Sequence, residues 1–340
     1  MIPKTLRRGM FLSPLLAALA GCNTVVMNPS GDIAKQQAQL IIVSVALMLL
    51  IIVPVFILII WFARKYRASN TEAEYAPDWD HSTKLELVIW GAPLLIIIVL
   101  GLVTWISTHK LDPYRPLDRI AEGRPIPASA KPLIVQAVAM DWKWLFIYPE
   151  QGIATVNELV VPVDVPVRFK ISATSVMNAF YVPELAGMIY AMPGMETTLN
   201  AVQNKAIQSV GFSANYSGAG YSDMRFSYRG VPQGDFDGWV QSVKSAGGNL
   251  DRAGYLTLEK PSIKEPVHRY AAVDNDLFYR VLNRCVADGA VCMDKMMNDD
   301  AKKAREMAML QHAPQQAAAT RLAQANGEVC TTPNDPVKKK

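Results

Sequence analysis

Two uninterrupted apolar runs constrain this chain before anything else does. From Leu40 to Phe62 the sequence LIIVSVALMLLIIVPVFILIIWF holds 23 uncharged residues, about 34 Å as a helix, enough to cross a bilayer core. A second run, Leu85 to Ile106, carries one acid, Glu86, and sets Trp90 and Trp105 near its ends, where interfacial tryptophans are expected. Backbone groups inside a bilayer must bond within their own segment, so both runs are predicted transmembrane helices. Pro54 removes one hydrogen bond from the first and is expected to kink it.

The flanking charges set the expected topology. Arg64, Lys65 and Arg67 crowd the end of the first span and only Lys35 precedes it, which places the loop 63–84 in the cytoplasm. Lys110, Arg115, Arg119 and Arg124 balance that loop on the far side, but two crossings return the chain to the side it started from. Residues 1–21 contain Lys4, Arg7 and Arg8, a short apolar run Met10 to Ala20, and Leu19-Ala20-Gly21 just before Cys22. That is the pattern of a signal peptide with a lipobox. Its resemblance to bacterial lipoproteins implies a mature chain starting at a lipidated Cys22 (palmitate among its acyl groups), with 22–39 as a periplasmic segment; the plain alternative is a cysteine buried after a short membrane helix. Residues beyond about 110 are then extracytoplasmic, in a bacterial inner-membrane protein whose N-terminus and C-terminal domain both face the periplasm, where disulfides persist.

After a linker, 107–132, the sequence turns to short runs rich in Val, Ile and aromatics separated by turn residues. Strands are predicted at Leu133 to Ala139, Trp142 to Tyr148, Glu158 to Val161, Val167 to Ser172, Met188 to Met192, Glu196 to Ala201, Ile207 to Phe212 and Met224 to Tyr228. That number fits a β-sandwich or small barrel over 133–260, making the whole an α+β membrane protein. A helix is expected from Asp235 to Ser245, capped by Asp235, with Phe236, Trp239, Val240 and Val243 on one face. An aromatic-rich helical extension follows at 261–299, including a helix from Tyr270 to Cys285. Residues 300–340, poor in large apolar side chains, read as a flexible or partly helical tail.

The chemistry-bearing residues are sparse. A net charge of +4 is too mild to suggest nucleic acid. Cys22, Cys285, Cys292 and Cys330 form no CxxC pair, and the histidines are only His81, His109, His268 and His312. No phosphate-binding glycine loop or nucleophile elbow is present.

More specific are Met140-Asp141-Trp142-Lys143-Trp144, SVMNAFYVPELAGMIYAMPGM from Ser175 to Met195, and FSANYSGAGYSDM from Phe212 to Met224. With two spans and a β domain of this length they resemble haem-copper oxidase subunit II: a Trp-x-Trp motif and two copper loops on a cupredoxin-like domain. Asp235-Phe236, Trp239-Val240 and the stretch Tyr270 to Leu282 resemble the helix and extension that follow in the quinol branch, the cytochrome bo-type ubiquinol oxidases. The resemblance covers roughly residues 22–290. In the copper branch a dicopper centre needs two bridging cysteine thiolates, two histidines, a methionine and a carbonyl. Laid onto this chain, those positions are Asn178, Ser213, Asn215, Ser217 and Tyr221, and only Met224 keeps its identity. Serine hydroxyls do not ionise near neutral pH and a phenol has a pKa of about 10. No cysteine lies between Cys22 and Cys285, so no change of register restores a dithiolate.

The resemblance therefore implies a subunit that binds no cofactor of its own and receives no electrons from cytochrome c. Ubiquinol is the expected substrate of the complex, with haems and one copper in subunit I, coupled to proton translocation in an aerobic respiratory chain. The expected partners are subunit I, smaller membrane subunits and the bilayer, which this chain would serve by assembly, packing and a periplasmic cap. A competing reading is a free-standing membrane lipoprotein whose cupredoxin-like domain binds a partner. Glu86 matches a family glutamate at the mouth of a proton-uptake path, against the alternative of a solvated interfacial carboxylate. Trp142 falls where the copper branch admits electrons, but packing is the reading that fits a chain without the metal. Met188, Met192, Met195 and Met224 are expected to fill the core. Cys285 and Cys292, with Met293, Met296 and Met297 beside them, suggest a local disulfide more simply than a copper-trafficking patch; Cys330 is unassigned.

Overall fold

The computed structural model describes residues 24–74 and 78–325, with side chains as far as Met309. Cys22, Cys330 and the signal peptide lie outside the described residues. The helices are α1 (Asp32–Lys65), α2 (Thr83–Lys110), α3 (Gln233–Ser245), α4 (Arg252–Leu258), α5 (Leu277–Leu282) and α6 (Met293–Ala325). The strands are β1 (Arg119–Ala121), β2 (Arg124–Pro125), β3 (Leu133–Met140), β4 (Lys143–Tyr148), β5 (Ile153–Val156), β6 (Glu158–Pro162), β7 (Pro166–Ala173), β8 (Asn178–Tyr181), β9 (Ile189–Ala191), β10 (Thr197–Val202), β11 (Ile207–Ser213), β12 (Arg225–Val231), β13 (Asn249–Leu250), β14 (His268–Tyr270) and β15 (Ala272–Val273).

Helices α1 and α2 contain the two apolar runs and extend beyond them at both ends, α1 continuing through Pro54 and α2 through Pro93. Along their length they expose Leu50, Phe56, Ile57, Leu87, Trp90 and Ile97. An apolar surface of that extent has to be covered by lipid or by other membrane helices.

The β domain is a two-sheet sandwich. One sheet runs β10-β7-β3-β4-β5-β14 and the other β6-β12-β11-β8-β9, with parallel pairs β3/β7 and β6/β12 among antiparallel neighbours. Between them Trp144, Phe146, Phe169, Phe180 and Phe226 meet edge-on or offset, with centroids 4.9–6.4 Å apart, the arrangements that ring quadrupoles favour. Tyr148 Oη donates to the Val160 carbonyl and accepts from the Val160 N–H, both at 3.0 Å, tying one sheet to the other. Strand β4 is buried at all six positions. Its outer face, with Val138, Met140, Ala154 and Val156, is covered by a second core of Leu250, Tyr255, Leu277, Phe278, Val281 and Val286. The extension thus closes the face of the sheet that an isolated sandwich would leave to water.

The β domain is stitched to the start of α1. Ser30 N and Gly31 N both donate to the Glu184 carbonyl at 2.9 and 2.8 Å, and Asn204 N donates to Ser30 O at 2.9 Å. A Cβ on Gly31 would overlap Leu185 O and lie 2.8 Å from Val202 O, so only glycine permits this approach. Asp32, 4% exposed, accepts from Arg119 at 2.9 Å and Gln36 at 2.8 Å.

Several expectations need correction. No helix spans Tyr270 to Cys285: β14 adds an edge strand beside β5, β15 pairs with β13, and α5 starts only at Leu277, because Asp274-Asn275-Asp276 interrupts the run. The sandwich therefore reaches past residue 260. Asp235 does not cap its helix, which begins at Gln233 behind Pro232. The linker contains the β1–β2 pair, and residues 300–325 continue α6. Strands β5 and β8 were not anticipated.

Glu158 clamps the sandwich at one edge. Its carboxylate, 7% exposed, takes a two-pronged contact from Arg269 on β14 at 2.8 and 2.9 Å and a third bond from Arg229 on β12 at 2.8 Å. Burial alone would raise its pKa, but Arg269 and then Arg229 outweigh it and hold the carboxyl below the ordinary glutamate range. A carboxylate held down in the folded state contributes stability that is fully present above its unfolded pKa, about 4.3, and lost as pH falls through the lower folded value. Stability is therefore expected to drop as pH goes below about 4.3. Glu158→Gln should flatten that acid limb and lower neutral-pH stability by about 2–3 kcal/mol, less than for a fully buried pair because the arginines are partly exposed. Denaturant unfolding of the detergent-purified protein, followed by tryptophan fluorescence across the acid range, checks both.

Candidate functional site

The two loops that resemble copper loops come together where β8 pairs with β11, Phe212 opposite Tyr181 and Ser213 opposite Phe180. Asn178 opens β8 and Ser213 closes β11, at 1% and 2% exposure. The Ser213 hydroxyl has Asn178 Oδ1 at 3.1 Å and the Asn215 carbonyl at 3.2 Å as acceptors for its single proton, and it accepts from Ala179 N at 3.2 Å. Asn178 Nδ2 donates to Val176 O at 3.2 Å, and Asn215 Nδ2 to Met177 O at 3.0 Å. Ser217 Oγ reaches only Met224 Sδ, at 4.0 Å. Tyr221 begins a single 3-10 turn and packs its ring against Tyr216, while Met224 is wholly buried in the aromatic core. Asn178, Ser213 and Asn215 thus bond to one another and to nearby backbone in one network.

Trp142 covers the second loop. Its Nε1 donates to Ser217 O at 2.9 Å, and a Cβ on Gly220 would lie 2.5–2.7 Å from its indole, so the loop reaches the ring only through glycine. The residues beside it are fixed from below. Trp142 N donates to Ser262 O, Ser262 N donates to Asp141 O, and the buried Lys143 ammonium donates to Lys260 O at 2.8 Å and Ser262 Oγ at 2.5 Å. Burial lowers the Lys143 pKa against the opposing pull of Glu265, 3.9 Å away, and of Asp141. Nothing in the sequence flagged Lys143 or its partners; the glycines at 218 and 220 were the readable sign that a ring approaches the loop.

This donor set does not suit copper. The positions that resemble the thiolate ligands, Ser213 and Ser217, hold neutral hard oxygens, and Ser213 Oγ is already engaged; the one soft donor, Met224 Sδ, is buried in the core with the Ser217 hydroxyl 4.0 Å away. Among the described residues no group of three His, Cys, Asp or Glu side chains is gathered as a metal site would require. Elsewhere, Cys285 and Cys292 are joined in a disulfide with Cα atoms 4.8 Å apart. Glu86, in the first turn of α2, meets His81 Nδ1 at 2.7 Å, both side chains well exposed. The core reading of the methionines holds only for Met224: Met188 and Met195 are 43% and 54% exposed, because they stand outside the narrow β8–β9 edge.

Comparison with known proteins adds two family matches: the periplasmic domain of cytochrome c oxidase subunit II over residues 149–231, and the COX aromatic rich motif over residues 244–289. Cytochrome bo(3) ubiquinol oxidase subunit 2 of Pseudomonas putida is 48% identical over 274 residues, 81% of this chain and 84% of that protein. Ubiquinol oxidase subunit 2 of Acetobacter aceti is 44% identical over 295 residues, 87% and 92% of the two chains. The solved periplasmic domain of cytochrome oxidase subunit II from Bradyrhizobium japonicum is 25% identical, with a TM-score of 0.33, covering 34% of this chain and 94% of that one.

The hydrogen bonds predict unequal roles for the two serines. Ser213→Ala strands the Ala179 N–H and a buried Asn178 oxygen and should cost about 1–3 kcal/mol. Ser217→Ala loses only a long contact to sulfur and should stay within about 0.5 kcal/mol of wild type. Denaturant midpoints of the two variants in detergent test the difference.

Proposed function

The chain belongs to the ubiquinol oxidase subunit II family, and we infer from that membership that it is the second subunit of a cytochrome bo-type oxidase, which passes electrons from ubiquinol to oxygen. The observation that carries this reading is the pair Ser213 and Ser217 at the thiolate positions, set in a loop closed by its own hydrogen bonds. A chain so built offers cytochrome c no acceptor. Electrons from a membrane quinol then enter through another subunit, and this chain's own part is to brace the complex. The apolar faces of α1 and α2 suit packing against a membrane subunit, and the β domain suits a cap held close by the bonds at Ser30, Gly31 and Asp32.

The finer parts of the proposal have their own supports. Haems and a single copper are assigned to subunit I, as the family resemblance implies; among the described residues no group of three His, Cys, Asp or Glu side chains is gathered to hold them. Cys22 is the lipid attachment point on the strength of the lipobox, which puts the N-terminus and the β domain in the periplasm and the loop 63–84 in the cytoplasm. Glu86, exposed and paired with His81 at the start of α2, is placed to gather protons at the inner surface for a proton-translocating complex. A free-standing lipoprotein is the weaker reading, because two bare apolar spans exceed what an acylated binding module needs as a tether.

Purification of the whole chain from native membranes in mild detergent tests the proposal. Expected are co-purified haem, oxygen uptake driven by ubiquinol and none driven by reduced cytochrome c. A haem-free chain without oxygen uptake would favour the free-standing lipoprotein, and uptake driven by cytochrome c would overturn the copper-free reading.

A further inference from the structure

We propose that the thioethers of Met192, Met195 and Met293 form a binding site for Cu(I) on the surface beside the two loops, separate from the lost dithiolate positions. Met192-Pro193-Gly194-Met195 is a tight turn: Met195 N donates to Met192 O at 3.3 Å, and Gly194 has φ of +72°. Proline at the second position and a left-handed glycine at the third describe a type II turn, whose first and last Cα atoms lie within about 7 Å. The turn therefore brings the two methionines at its ends near one another. Met293 lies across its face, since a Cβ built on Gly194 would overlap the Met293 methyl and fall 3.3 Å from its Sδ.

Met293 is held there. Its N–H donates to Asn283 O at 2.9 Å, Tyr279 Oη bonds Asp294 at 2.6 Å, and the Cys285–Cys292 disulfide closes the chain just before it. Two further thioethers border the three. Asn178 pairs with Ala191 at the end of the β8–β9 ladder, and Met177 and Met192 are the next residue on each chain. Met297 follows Met293 by one helical turn. Met177, Met195 and Met297 are 41%, 54% and 64% exposed, so the patch is open to an ion from solution.

Thioether sulfur is soft, neutral and carries no proton to lose, which selects Cu(I) or Ag(I) over harder divalent ions. Both cysteines beside the patch are spent in the disulfide, leaving no thiolate there to compete. An apolar patch meant for a neighbouring subunit would need the shape of these side chains but not their sulfur. Leucine separates the two, because it keeps the volume and removes the donor.

The test is a Cu(I) titration of the purified oxidase complex under ascorbate, against a chromophoric Cu(I) chelator. Wild type is expected to take up about one Cu(I) per complex beyond its as-isolated copper and no Zn(II) at that site. The double variant Met195→Leu/Met293→Leu should bind it at least about tenfold more weakly, with haem content and quinol-driven oxygen uptake unchanged as the check on folding. Met309→Leu, an exposed methionine farther along α6, should bind as wild type does. Absence of the extra Cu(I) in wild type, or undiminished binding by the double variant, would overturn the site and leave an apolar surface.

Discussion

Strand β4 has no solvent face, and the rest of the β domain is organised by that constraint. Trp144, Phe146 and Tyr148 fill the space between the sheets, while Leu145 and Ile147 face outward into the second core. A sandwich alone would leave that outer surface wet, so the aromatic-rich extension belongs to the fold rather than hanging from it. The same strand starts at Lys143, whose buried ammonium fixes the segment around Ser262, and so at Trp142, which roofs the second loop. Core packing thereby determines where the second of the two loops sits.

The two loops that resemble copper loops are held in shape by hydrogen bonds within the protein. A dicopper centre ties two loops together because ligands from both meet on the same metals. Here a serine hydroxyl bridges an asparagine side chain and two backbone groups, and a tryptophan rests on glycines of the second loop. The Ser213 hydroxyl pairs with the Ala179 N–H and Asn178 Oδ1, each of which would cost about 1–3 kcal/mol if left buried and unpaired. The surface thioethers beside the loops are unrelated to that arrangement and offer soft-metal chemistry of a different kind.

The spans were legible because a run of about twenty apolar residues has few alternatives to crossing a bilayer. Most strands were legible from their Val, Ile and aromatic content. Strand β8 was hidden inside a stretch read as a loop, and β14 inside an aromatic run read as a helix, where helical spacing could not be told from a short buried strand. The resemblance drew attention to Ser213 and Ser217, but the hydrogen bonds around them were not legible. Asp32 meets Arg119 across 87 positions and Glu158 meets Arg269 across 111; which charges pair at such range is decided by the folded chain, and local pattern carries no trace of it.

That the loops are held by protein–protein bonds and not by a metal is the claim on which the functional reading turns. Amide hydrogen exchange at Ala179, Ser213 and Met224, measured on the purified complex before and after exhaustive treatment with a divalent-metal chelator, tests it most directly. The account predicts the same slow exchange in both states, since Ala179 N and Ser213 N are bonded to Ser213 Oγ and to Met224 O. Faster exchange confined to these loops after chelation would contradict it, because a metal would then be holding them.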